Sequence, residues 1–198
     1  MRVRCTCRVQ RKAKAEESLC CWRAMRVVDL SVPLYDGMAV YEGDPAVRIT
    51  TVRTRERDGW EVRQLQMGSH TGTHVDAPTH MHEGGASLDE IPLDRFFGPA
   101  VVASVTDTVF PADCGLLFYE EVPASCVPLM LAAHARFVGG PLSEEAERLL
   151  LAASVVTYTD LVNVEELAGK SFTFYGFPLR IRGGDGSPVR AVAVVGDD

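Results

Sequence analysis

Short runs of strand character recur along this chain, and only a few stretches carry helical spacing. Arg26 to Leu34 (RVVDLSVPL) reads as a first strand, ended by Pro33. Val47 to Val52 alternates apolar and polar positions, and Asp58-Gly59 is a turn signal after which Trp60 to Met67 returns as the paired strand. Pro99 to Val105 is apolar and β-branched and reads as buried; Gly115 to Tyr119, Arg136 to Val138 and Ser154 to Thr159 are shorter strand candidates. Phe172 to Arg182 and Val189 to Val195 read as closing strands, with the glycine-rich Gly183–Ser187 segment as a loop between them.

Helical spacing is clearest after Ser143, a good N-cap followed by Glu144 and Glu145, which suit the positive end of a helix dipole. Ala146, Leu149, Leu150 and Ala153 then form one apolar stripe, so the helix is expected to run to about Ala153. Ser125 to Ala135 is a second helix candidate; Ser87-x-x-Glu90 is a capping box and Asn163-x-x-Glu166 a further cap, each announcing a short helical turn. The pattern sums to an α/β domain, strand-rich with two or three helices.

A length of 198 residues fits one domain, with 46% hydrophobic and 24% charged positions, ordinary for a globular chain. No apolar run is long enough to span a bilayer, and the net charge of −7 does not suggest a nucleic-acid partner. The charge is uneven: residues 1–24 carry seven basic and two acidic side chains, +5, which leaves −12 for the rest. That segment also holds Cys5, Cys7, Cys20 and Cys21, four of the six cysteines, and lacks the apolar stretch of a secretory signal. A metal-binding or redox tail, a targeting peptide, and a disordered extension translated ahead of an alternative start at Met25 all fit; the last is favoured, with residues 25–198 as the domain. Cys114 and Cys126 do not form a disulfide framework, and a reducing cytoplasm is the simplest setting.

Candidate chemistry concentrates in His70-Thr71-Gly72-Thr73-His74-Val75-Asp76-Ala77-Pro78-Thr79-His80, an H-x3-H-x-D-x3-H pattern holding three of the five histidines. Imidazole and carboxylate are ligands a borderline divalent metal prefers. On an extended chain His74 and Asp76 share a face about 7 Å apart, whereas His70 and His74 stand about 13 Å apart, too far for one ion. The chain must bend between them, and Gly72 sits at the midpoint with the conformational freedom to do so. Pro78 then blocks regular pairing and turns the chain before His80. The stretch is expected to be a kinked strand end that gathers His70, His74 and Asp76, with His80 arriving from the following loop. His82 and His134 lie outside the cluster and read as surface or capping residues.

This motif resembles the metal motif of the cyclase-like amidohydrolase family, which includes kynurenine formamidases (arylformamidases) and isatin hydrolases. Asp29-Leu30-Ser31, Tyr41-Glu42-Gly43-Asp44, Ile91-Pro92-Leu93 and Gly183-Gly184-Asp185-Gly186-Ser187-Pro188-Val189-Arg190 resemble the same family in order and spacing, over roughly residues 27–195. The resemblance implies a swivelling β/β/α fold, His70, His74 and Asp76 as ligands of a Zn or Mn ion, and His80 as the catalytic acid/base. It implies a substrate contact at Tyr41, against the alternative of ordinary packing, and a homodimer or homotetramer. The two-metal members complete a second site with a histidine and a glutamate; here those positions fall on Glu147 and Thr159, and threonine is a poor ligand, which puts a second ion in doubt. Arg190 reads as holding its loop by pairing with a carboxylate or carbonyl, and Asp185-Gly186 as turn chemistry.

The expectation is therefore a metal-dependent hydrolase of a cyclic or aryl amide or ester, with a small-molecule substrate and no nucleic-acid or membrane partner. A biosynthetic cyclase or dehydratase using the same metal, and a catalytically idle binding homologue, are the alternatives.

Overall fold

The computed structural model describes residues 25–196. The N-terminal segment 1–24 and its four cysteines, and with them the reading of that segment as an extension, lie outside the described residues. The first strands are β1 (Arg26–Asp29), β2 (Arg48–Arg53), β3 (Val62–Gln66), β4 (His74–Asp76), β5 (Phe97–Val102) and β6 (Gly115–Leu117). They are followed by β7 (Phe137–Gly139), β8 (Val156–Thr159), β9 (Phe172–Tyr175), β10 (Gly186–Pro188) and β11 (Val192–Val195). The helices are α1 (Arg55–Asp58), α2 (Val127–Ala132) and α3 (Glu144–Ala152). The expected strand-rich α/β class is borne out.

Among the described residues, nine strands form one mixed sheet in the order β1-β11-β9-β5-β6-β7-β8-β4-β10. The centre, β5 to β8, is parallel; both flanks are antiparallel. Parallel strands are buried on both faces, and the central ones show it: β6 and β7 are buried at every position. Successive residues therefore feed opposite cores. Leu117, Phe137, Tyr158 and Phe174 pack on one face, while Leu116, Phe118 and Val138 pack on the other with Met130 of α2 and Ala146 and Leu150 of α3. Ser143 caps α3 as expected, its Oγ accepting from the amide of Ala146 at 3.2 Å.

Several boundaries differ from the sequence reading. The Asp58-Gly59 turn is a one-turn helix, capped by Thr54 and closed by Gly59 at φ 82°, so the β2–β3 hairpin is wider at its tip than a two-residue turn would make it. Leu149 is 43% exposed, and Leu151 takes its place in the α3 stripe. Asn163 does not cap its helical turn through its side chain, which instead donates to the carbonyl of Asp29 at 2.9 Å. The glycine-rich segment expected to be a loop contributes a strand, β10, which pairs antiparallel with β4 at the sheet edge. The β2–β3 ribbon is a separate two-stranded sheet whose residues are nearly all exposed. No helix among the described residues is long and apolar enough to cross a membrane.

Candidate active site

Strand register builds the site. In β4, Val75 points into one core and is fully buried, so His74 and Asp76 share the opposite face, the one α3 covers. Their partners on β8 are Thr159 and Thr157. Those pairs are in contact: Thr159 Oγ1 lies 2.8 Å from His74 Nε2, and Thr157 Oγ1 donates to Asp76 Oδ2 at 3.3 Å. From α3, Glu147 Oε1 lies 3.0 Å from the same Thr157 hydroxyl.

His70 reaches this face because the chain bends at Gly72, where φ is 60°. A Cβ there would also meet Leu34 Cδ2 at 2.8 Å. Thr73 bolts the bend, its hydroxyl accepting from the amide of Val32 at 2.9 Å and donating to the carbonyl of Asp160. His80 follows on a 3-10 turn that opens with Pro78, and its ring centroid is 4.0 Å from that of His70.

His70, His74 and Asp76 converge as the spacing suggested. His70 Nδ1 is 2.6 Å from Asp76 Oδ1, and His74 Nε2 is 3.3 Å from the same oxygen. One ligand atom from each lies within 4.8 Å of the others; a second such triplet is His70, His80 and Asp185. The donor chemistry fits a divalent cation. His74 donates Nδ1–H to the carbonyl of Gly72 at 2.6 Å and turns Nε2 toward Asp76; once a cation displaces the proton from Nε2, this is the arrangement a metal-bound imidazole adopts. Glu147 belongs to neither triplet.

Electrostatics concentrate on the buried carboxylate. Asp76 is 1% exposed; burial opposes its charge, but hydrogen bonds from His70 and His74 outweigh that and hold it below the usual carboxylate range. Burial likewise opposes charge on His70, yet its bonds to Asp76 and Asp185 raise the imidazole to about 9. Glu147 is pushed up to about 7 by burial and by the charge of Asp76. His80 is held below the usual imidazole range by burial and by the neighbouring charge of His70.

Other sequence candidates fall into place differently. Tyr41 is 80% exposed, on a loop whose flanks pack near Gly68 and Gly72 through Pro45 and Met38. Arg190 makes the expected carboxylate pair, bidentate to Asp29 at 2.8 and 2.7 Å. Ser187 is buried and accepts from the amide of Leu179 at 3.0 Å. His82 bonds the carbonyl of Arg148 at 2.8 Å, a structural role.

The sequence reading missed Asp185. Its Oδ2 is 2.9 Å from His70 Nε2 and 3.9 Å from His80 Nδ1. The signal available was a carboxylate inside the glycine-rich family-like pattern, read there as turn chemistry. Beside the site runs a mostly apolar groove of about 810 Å3, lined by residues 31–34, Leu65, residues 67–69, Leu179, Ile181 and residues 188–190. It adjoins the histidine cluster through Ser69 and through Pro188, the β10 partner of His74.

Comparison with known proteins gives the family and the fold. The model of the Cyclase family, described as "Putative cyclase", matches residues 28–135. The chain is 31% identical to the kynurenine formamidase of Salinibacter ruber, over 85% of this chain and 97% of that one. It is 25% identical to the kynurenine formamidase of Bacillus cereus, over 83% and 95%. Its fold is similar to that of isatin hydrolase A from Labrenzia aggregata bound to benzyl benzoate, with a TM-score of 0.74 at 22% identity over 87% of this chain and 94% of that one.

Proposed function

The chain belongs to the cyclase-like metal-dependent hydrolase family, and on that premise we propose that it hydrolyses a cyclic or aryl amide or ester. The observation that carries the reading is the convergence of His70, His74 and Asp76 on one point at the sheet edge, beside an apolar groove. These three residues would hold one divalent cation, Zn or Mn; when bound, such an ion supplies a Lewis acid that polarises a carbonyl and acidifies water.

The chain's own groups do the rest. His80, whose ring lies 4.0 Å from that of His70, is the acid/base: it takes a proton from the attacking water and gives it to the departing nitrogen or oxygen. Its Nδ1 is turned toward Asp185 at 3.9 Å, so Nε2 is the nitrogen free to exchange that proton. Burial keeps the imidazole neutral and ready to accept. A volume of about 810 Å3 suits a small aromatic substrate, and the apolar side chains of Leu34, Leu65, Leu179 and Ile181 would hold its ring. Tyr41, on the loop that abuts Gly68 and Gly72, is assigned a substrate contact.

Thr159 opposite His74 favours one ion over two, because a hydroxyl is a poor ligand beside the carboxylates and imidazoles. A homodimer or homotetramer belongs to this reading. The β2–β3 ribbon leaves Trp60 59% and Leu65 55% exposed, and an isolated two-stranded ribbon is marginal in water. A reducing cytoplasm suits the two described cysteines, both free and buried.

The test is metal analysis of the purified chain, with turnover of N-formylkynurenine, isatin and simple lactones after repletion. The reading expects about one bound ion per chain and hydrolysis of at least one of these that His80→Ala abolishes. A repleted chain without metal sinks it.

A further inference from the structure

We infer that Asp185 is the positioning carboxylate of His70: it accepts Nε2–H and thereby commits Nδ1 to the cation. The inference rests on the cation-binding reading above. A neutral imidazole carries one proton, so a nitrogen that binds a cation requires the proton on the other, with an acceptor to hold it there. His74 meets that demand with a backbone oxygen, Gly72 O at 2.6 Å from Nδ1, and presents Nε2. His70 is turned the other way. Its Nδ1 faces Asp76 Oδ1 at 2.6 Å, and its Nε2 faces Asp185 Oδ2 at 2.9 Å. The two rings thus approach the same oxygen of Asp76 through unlike nitrogens, and each has an acceptor behind it.

The loop that carries Asp185 is pinned independently of this contact. The carbonyl of Asp185 accepts from the amide of Ala77 at 2.8 Å, that of Gly184 from Leu88 at 2.9 Å, and the amide of Gly183 donates to Asp89 Oδ1 at 2.8 Å. Gly186, the next residue, pairs with Asp76 across β10 and β4. A Cβ on Gly186 would lie 2.4 Å from His70 Cε1 and 2.7 Å from Nδ1, so the ring occupies the space where a side chain would be. Asp185 holds one edge of the ring while Gly186 leaves room for its face. Asp185 also belongs to a triplet with His70 and His80, which a ligand role would use instead. The two roles differ in what removal does: loss of a support weakens binding without changing stoichiometry.

The experiment titrates zinc into the metal-free full chain by competition with a chelator and records long-range 1H–15N spectra of the histidine rings in the zinc-loaded form. Asp185→Ala should bind zinc about 10–100-fold more weakly at unchanged stoichiometry. His70 should change from a single Nε2–H tautomer to a mixture or to the other nitrogen. Asp185→Asn, which keeps the shape and an accepting oxygen, should fall between, and its dispersed spectrum guards against misfolding. Wild-type affinity together with an unchanged His70 tautomer in Asp185→Ala overturns the inference. Loss of an ion from the stoichiometry does so as well, by making Asp185 a ligand. Failure of the unsubstituted chain to take up zinc is a separate result: it rejects the cation reading and this assignment with it.

Discussion

Residues 70–80 bring three imidazoles and a buried carboxylate to the sheet edge; residues 183–188 bring one half-exposed carboxylate among three glycines. The first segment supplies the groups that could grip an ion. The second supplies what keeps one of them in place: an acceptor for His70, an absent side chain at Gly186, and the strand pairing that sets both against Asp76. Ligand chemistry demands particular residue types, so it is dense in sequence. Support demands only a polar atom or an empty volume at the right register, and a chain can provide either with residues that look like a turn.

The contrast breaks most sharply at Asp76. Asp76→Ala removes the oxygen that both imidazoles face. Zinc affinity should fall well beyond the roughly 100-fold ceiling expected of a supporting group, and hydrolysis should vanish with it. Chelator competition measures the first and substrate turnover the second. If Asp76→Ala and Asp185→Ala cost the same, the division into gripping and supporting segments is wrong.

Gly186→Ala comes next. The new methyl would overlap His70, whose ring has little freedom to move while Asp76 and Asp185 hold both nitrogens. Metal affinity should drop by about 10–100-fold, as for other losses of support. Thermal stability of the metal-free chain should fall by about 1–3 kcal/mol, as for overpacking. The same substitution at exposed Gly84, which has open space around it but a φ of 76°, should cost stability without touching metal affinity.

How much of this was legible follows from the same distinction. The bend at Gly72, the gathering of His70, His74 and Asp76, the α3 cap at Ser143 and the Arg190 carboxylate pair all depend on local spacing or on a residue's own chemistry, and all could be read. What could not be read depends on partners distant in the chain. Gly186 to Pro188 forms a strand only because β4 offers it an edge more than a hundred residues earlier. Asn163 abandons its cap for a carbonyl on β1. The α3 stripe shifts from Leu149 to Leu151 because the helix is rotated by the sheet it lies on, which its own periodicity cannot specify. Asp185 combines these difficulties: its loop is fixed by long-range pairing, and its contact with His70 crosses 115 residues.

The smallest expected effect tests how far the support extends. Arg190, just beyond β10, is clamped to Asp29 at the end of β1, and both line the groove. The Arg190 guanidinium, bonded through two hydrogen bonds, holds Asp29 below the usual carboxylate range. A lowered folded pKa means that the pair's contribution is present above the unfolded value near 4 and is lost as pH falls through the folded one. The pair is largely exposed, so Asp29→Asn should lower the melting temperature by only about 1–2 °C at pH 7. The gap between variant and unsubstituted chain should close as pH falls below about 4, and raised salt should narrow it at pH 7. Zinc affinity should stay unchanged, since Pro188 and Val189 separate this clamp from Gly186 and its pairing with Asp76. If Asp29→Asn weakens zinc as much as Gly186→Ala does, the supporting segment reaches past β10 into the groove wall, and the boundary drawn at residue 188 is in the wrong place.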